Sequence, residues 1–323
     1  MPRYRHHLPQ LSSGLYLTDA GLETDMIFNH GFELPAFASH TMLDSDAGRA
    51  AMRSYFAGFL ELASEYGTGF ILDVPTWRAQ RWFADKLGVR PAALKAINES
   101  ATAFMDRLRK VYDTSVSPIV LNACLGPRGD GYSPDTPITA DEAEAYHSEQ
   151  IGWLAETEID MITALTFNRS EEAVGAVRAA KRQNIPIVVS FTVETDGRLP
   201  SGQPLKGAIE DVEAETSRAP AYYMINCAHP DHFAETVHGE GDWTRSIRGF
   251  RCNASRCSHA ELDEAEILDD GDPKEMGALN LALRQSLPWA NVFGGCCGSD
   301  LRHVAEIAKA ISVARVRRPV SVG

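Results

Sequence analysis

The six cysteines at Cys124, Cys227, Cys252, Cys257, Cys296 and Cys297 are the residues of this 323-residue sequence whose chemistry depends most on where they fall. The opening MPRYRHHLPQL is basic and lacks the apolar run of a secretory signal. In such a chain the cysteines read as thiols for metal or catalysis rather than as a disulfide framework. Cys296 and Cys297 are neighbours within FGGCCGSD, and Cys227 lies within INCAHP. Three thiolates around Zn2+ occupy three tetrahedral corners and leave a fourth for a substrate, the arrangement of a catalytic site, and a substrate thiol suits that position. Adjacent residues on a regular strand point to opposite faces, so the pair can share one ion only if the backbone leaves strand geometry. Gly294, Gly295 and Gly298 permit that departure. Buried cysteines are also ordinary packing residues, and an adjacent pair can be inert or oxidised; spacing alone leaves both readings open. His229, His232 and His303 lie nearby in sequence, but isolated histidines are more often surface or hydrogen-bonded residues than ligands. Cys124 reads as strand packing, and the spacing of Cys252 and Cys257 is not diagnostic.

Positioning three such thiols together requires a repeated frame, and the apolar pattern supplies one. Short β-rich runs fall at 15–18, 70–74, 119–125, 161–166, 187–191, 222–226, 249–252 and 292–294. Helical segments separate them, among them 46–66, 91–112, 140–156, 171–183, 273–285 and 300–315. Thr139 with Glu142 forms a capping box, Pro91 suits a first helical turn, and Gly67 suits a helix C-terminus. IPIVV and YYMIN are continuously apolar, as parallel strands covered on both faces should be. Eight such units predict a (β/α)8 barrel. A doubly wound sheet also alternates, but no Gly-x-Gly-x-x-Gly follows a strand. Three connections, 21–43, 192–207 and 253–272, are long and follow strands, on the face where barrels build active sites. On this assignment Cys227 ends the sixth strand and Cys296 and Cys297 the eighth, so three thiols meet at one rim.

Composition sets the remaining bounds. With 44% hydrophobic and 23% charged residues the chain is an ordinary globular protein. A formal charge of -13 opposes a phosphate backbone or an anionic membrane, so no nucleic-acid or membrane partner is expected. No stretch approaches the ~18 apolar residues of a membrane helix, and the protein reads as cytoplasmic. An oligomer is compatible with the sequence.

Five pieces taken together resemble the zinc-dependent homocysteine S-methyltransferase family: LTDAGLET at 17–24, LGPRG at 125–129, EEA at 171–173, INCAHP at 225–230 and FGGCCGSD at 293–300. They occur in the family's order and span nearly the whole chain. The resemblance implies one (β/α)8 barrel domain over residues 1–323, Zn2+ on Cys227, Cys296 and Cys297, and methyl transfer to homocysteine to make methionine. It also implies roles for Asp19 and Asn226 near the homocysteine pocket. Trp77 stands where the family often carries an aromatic residue, which suits a cationic methyl donor. Asn253 matches an asparagine that the family tends to place after the seventh strand.

Two departures stand out. Leu165 occupies the place of a glutamate thought to hold the amino group of homocysteine, and DVPTW (73–77) replaces a hydroxyl-rich run. The expected partners are therefore a small thiol and a methyl donor, with the acceptor's ammonium held by Asp19, Asp73 or an acid of the long loops. A chain of this length leaves no room for folate or cobalamin modules and lacks the extension of betaine-using relatives. S-methylmethionine or S-adenosylmethionine is the expected donor, and betaine the second. The competing readings are methyl transfer to another small thiol, a barrel that binds zinc and a thiol without turnover, and a hydrolase. The hydrolase reading is the weakest, because three thiolates acidify a bound water poorly.

Overall fold

The computed structural model describes residues 1–12, 14–133, 137–238 and 241–316. Eight strands, β1 (Tyr16–Leu17), β2 (Gly69–Val74), β3 (Ile119–Leu125), β4 (Met161–Phe167), β5 (Ile187–Phe191), β6 (Tyr223–Ala228), β7 (Ile247–Cys252) and β8 (Val292–Gly295), pair in parallel in chain order. Tyr16 is in register with both Gly69 and Val292, which closes the sheet on itself. One main helix follows each strand: α1 (Asp46–Tyr66), α2 (Leu94–Tyr112), α3 (Ala140–Ala155), α4 (Ser170–Arg182), α5 (Leu205–Thr216), α6 (Pro230–Val237), α7 (Pro273–Ser286) and α8 (Leu301–Val316). This is the (β/α)8 barrel that the alternation predicts.

The strands are buried almost throughout because each has two covered faces. Alternate residues split between two cores. Phe70, Leu72, Ile119 and Leu121 pack outward among the helices, while Ile71, Val120, Met161, Val188, Met224 and Val292 fill the barrel interior with Tyr16. The Tyr16 ring occupies the space that a side chain at Gly69 would need, so β2 can start beside it only as glycine. Leu8 joins this interior core from below, and the Arg5 guanidinium donates to the carbonyls of Ala155, Thr157 and Ile159. The N-terminal segment therefore closes the end of the barrel where the strands begin. The opposite end carries the long loops.

Helix ends follow local rules. Ser45 caps α1 and Gly67 ends it in the left-handed region, at φ +61°. Thr139 and Glu142 form the capping box expected for α3. Pro91 opens a short 3-10 turn and the α-helix proper begins at Leu94. The connection read as 192–207 stops earlier, since α5 starts directly after Pro204. Among the described residues no helix is long and apolar enough to cross a membrane.

Candidate active site

Cys227 reaches the mouth of the barrel through an irregularity in β6. Asn226 pairs with Arg251 and Ala228 with Cys252, so Cys227 is an extra residue between two registered pairs, with φ +53°. Such a bulge re-aims a side chain out of the strand's alternation. A second irregularity lies in β4 between Ala164 and Phe167, where Thr166 has φ +65°. Asn226 ties the two together. Its Oδ1 accepts from the Thr166 backbone N–H at 3.0 Å and from Ser190 Oγ at 2.6 Å, and its Nδ2 donates to Thr166 Oγ1 at 2.8 Å. Asn226 is fully buried in this network and lies outside the cavity lining.

Cys296 and Cys297 sit in the turn after β8. The Cys296 N–H donates to the Cys252 carbonyl at 2.8 Å, and the Ala254 N–H to the Cys297 carbonyl at 3.1 Å. Gly298, at φ +78°, turns the chain just beyond them. Gly294 and Gly295 contribute through close approach, since side chains there would collide with Thr18 and Ser299. Cys227 and Cys296 are joined sulfur to sulfur with Cα atoms 5.4 Å apart, and Cys297 Sγ lies 3.9 Å from Cys227 Sγ. All three sulfurs fall within 4.8 Å of one another. The paired contact thus runs across the barrel mouth from β6 to β8, not between the sequence neighbours. Burial pushes the Cys297 thiol up to about 11, with the nearby Glu23 adding and a Tyr132 hydrogen bond opposing. Without a cation beside it, that thiol stays protonated at neutral pH.

The surroundings fix this arrangement. The Cys227 carbonyl accepts from His259 Nε2 at 2.6 Å, and His259 Nδ1 faces Glu194 Oε1 at 2.9 Å. The Tyr132 ring packs against His259 at a tilt of 37°, with centroids 4.3 Å apart. His229 caps α6 by accepting from the Asp231 N–H, His232 faces the Arg256 carbonyl, and His303 faces the Asp270 carbonyl. None of the three joins the sulfur cluster.

The thiols line a cavity of about 290 Å³ together with Asp19, Glu23, Trp77, Leu165 and Asn253. Asp19 is tied to Arg251 of β7 at 2.6 Å, and the same guanidinium pairs with Asp73 of β2. Asn122 donates to Asp73 at 2.7 Å. Burial raises the Asp19 carboxyl to about 7, against the pull of Arg251 and with the push of Asp73. Trp77 Nε1 donates to the Leu165 carbonyl at 3.0 Å, while the Arg78 guanidinium carbon lies 3.7 Å from its ring centroid. One face of Trp77 therefore already carries a cation of this chain. Asn253 is buried, and its Oδ1 has no hydrogen-bond partner. Cys124 is buried and also reaches the cavity; Cys252 is buried and Cys257 exposed.

The sequence reading missed Arg251, Arg78, Glu23, Tyr132 and His259 as site residues. No local spacing marks them, because only barrel closure brings Arg251 of β7 within reach of Asp19 after β1, and Tyr132 after β3 within reach of Cys297 after β8.

The fold is a (β/α)8 barrel whose cavity lies at the C-terminal ends of the strands, the face on which enzymes of this architecture build their active sites. The chain belongs to the homocysteine S-methyltransferase family, whose model matches residues 16–311. It is accordingly an S-methyltransferase. The oxidized form of the homocysteine methyltransferase MmuM from Escherichia coli is similar in fold, with a TM-score of 0.74 over 95% of this chain and 99% of that one at 15% identity. The metallated form gives 0.71 over 94% and 97%, at 14% identity.

Proposed function

We propose that the protein transfers a methyl group from a sulfonium donor, S-methylmethionine or S-adenosylmethionine, to the thiol of homocysteine, using Zn2+ held by Cys227, Cys296 and Cys297. The observation that carries this reading is the meeting of three sulfurs within 4.8 Å at the mouth of the cavity. In their reduced form they are a soft, anionic donor set of the kind that selects zinc. Cys227, Cys296 and Cys297 would hold the ion, which would supply a Lewis acid that lowers the pKa of a coordinated thiol, while the three thiolates would keep that sulfur electron-rich.

The chain's own part is positioning. The β6 bulge and the turn at Gly298 aim the thiols, and Tyr132 and His259 hold Cys297 and the Cys227 carbonyl in place. In the reaction a new S–CH3 bond forms and the donor's CH3–S+ bond breaks, its electron pair leaving with a neutral thioether. The acceptor's proton goes to solvent. Asn253, whose Oδ1 has no hydrogen-bond partner, and the Asp19–Arg251–Asp73 network line the cavity that would receive the substrates. A different small thiol is the second reading, favoured by Leu165 in the cavity wall where an ammonium-binding carboxylate is expected.

The test is a matrix of acceptors against donors with the zinc-loaded enzyme. The expected result is methionine formation from homocysteine with a sulfonium donor. Turnover of another thiol alone favours the second reading, and no transfer in any cell of the matrix rejects both.

A further inference from the structure

Among the described residues three arginines are buried, and two of them are neutralised. Arg251 lies between Asp19 and Asp73, and Arg109 between Asp106 and Asp160. The third, Arg78, is only 7% exposed and forms no ion pair among the described residues. Its guanidinium is wedged between the rings of Trp77 and Phe83, 3.7 Å and 4.1 Å from their centroids. One nitrogen donates to the Gly129 carbonyl at 3.0 Å, while Nε is buried with no partner. Burying a charge without a counter-charge is costly, and a guanidinium fork matches a carboxylate in shape and hydrogen-bond pattern. Burial lowers Arg78 to about 10, so it remains cationic at neutral pH.

The same cavity holds the complementary charge. Asp19 and Asp73 are taken up by Arg251, whereas Glu23 forms no ion pair among the described residues and accepts one hydrogen bond, from Ser39 Oγ at 2.7 Å. Glu23 lies close enough to influence both Cys297 and Arg78. The cavity wall thus presents beside the thiols one guanidinium and one carboxyl group that form no ion pair among the described residues; burial shifts the Glu23 carboxyl upward, with the Ser39 hydrogen bond opposing.

We propose that Arg78 and Glu23 form a recognition pair for an α-amino acid substrate, with Arg78 binding its carboxylate and Glu23 its ammonium. The pair rests on the methyltransferase reading for which amino acid it serves. It accounts for Leu165, because the ammonium is held from the β1 loop instead of from β4. The acceptor and a sulfonium donor both carry this zwitterionic group, so either could be the occupant.

The experiment measures binding to the zinc-loaded protein by calorimetry, using L-methionine, 3-(methylthio)propylamine, which lacks the carboxylate, and 4-(methylthio)butanoate, which lacks the ammonium. Wild type should prefer methionine over each by about ten- to a hundredfold, the range of a hydrogen bond to a charged group. Arg78→Met, which keeps the packing between the two rings, should abolish the preference over the amine and leave that over the acid. Glu23→Gln should do the reverse. A merely structural Arg78 would weaken all three ligands alike. Arg78→Met that still prefers methionine over the amine overturns the carboxylate site, and Glu23→Gln that still prefers methionine over the acid overturns the ammonium site. If either variant fails to fold, equal binding of all three ligands by wild type, or none of methionine, overturns the pair.

Steady-state kinetics then separate the sources. A KM raised for homocysteine by Arg78→Met assigns the carboxylate to the acceptor, one raised for S-methylmethionine assigns it to the donor, and neither raised overturns the proposal. Discrimination among the ligands without methyl transfer to any thiol sinks the methyltransferase reading alone.

Discussion

At the residue scale the site depends on three side chains that have no sequence neighbours in common beyond the Cys296–Cys297 step. Replacing any one of them by Ala removes a third of the proposed donor set. Zinc content, measured by elemental analysis of the reduced protein, should fall from about one per chain to near zero in Cys227→Ala, Cys296→Ala and Cys297→Ala. The barrel should stay folded, because its interior core draws on no residue of the cluster. Zinc retained at full occupancy in the Cys296→Ala, Cys297→Ala double variant would rule the ligand set out. These cysteines were legible in the sequence because glycine-flanked adjacent thiols are rare and chemically pointed. Arg78 and Glu23 were not, since a lone arginine or glutamate in a loop carries no signature until its burial and lack of a partner are seen.

At the scale of elements, the unusual part is a pair of bulges on β4 and β6 pinned to each other by Asn226. The alternating pattern located both strands, yet it could not show that each gains an extra residue near its end. That displacement is what makes Cys227 face the cavity. Asn226, for which the motif implies a substrate contact, bonds the backbone and hydroxyl of Thr166, which sits in the left-handed region. Asn226→Ala removes three hydrogen bonds and strands the Thr166 N–H, and should cost on the order of 3 kcal/mol. Denaturant midpoints measure the loss. Because the bulge orients Cys227, zinc affinity should weaken with it. A variant of wild-type stability and zinc affinity would mean that the bulges hold themselves.

Across the whole molecule the two ends of the barrel differ: the end closed by Leu8 and Arg5 is packed shut, and the end with the long loops holds the cavity and the three clustered cysteines. The repeating strand and helix pattern made this frame legible, but the loops' internal contacts were not, since they join segments far apart in sequence. One consequence concerns acid. His40, in the long β1 loop, is buried with neither ring nitrogen bonded, and burial lowers it to about 4, against a pull from Asp44. His229, accepting a hydrogen bond at the start of α6, is likewise lowered to about 4 by burial, with Asp231 opposing. Both are held neutral in the native state and titrate near 6.5 once unfolded. Above pH 6.5 neither state is protonated at these groups, so their contribution is complete. Between pH 6.5 and 4 the unfolded chain takes up protons that the native state refuses, and stability falls; below 4 the loss levels off. The full difference for His40 amounts to about 3 kcal/mol, and His229, lowered to the same value, adds in the same direction. Denaturant unfolding from pH 7.5 to 4 should therefore show a declining midpoint in wild type and a shallower decline in His40→Leu. Carboxylates and the thiol cluster titrate alike in both proteins and cancel in the comparison. Parallel slopes for the two would mean that His40 finds a proton partner in the native protein, and the burial argument for it would fall.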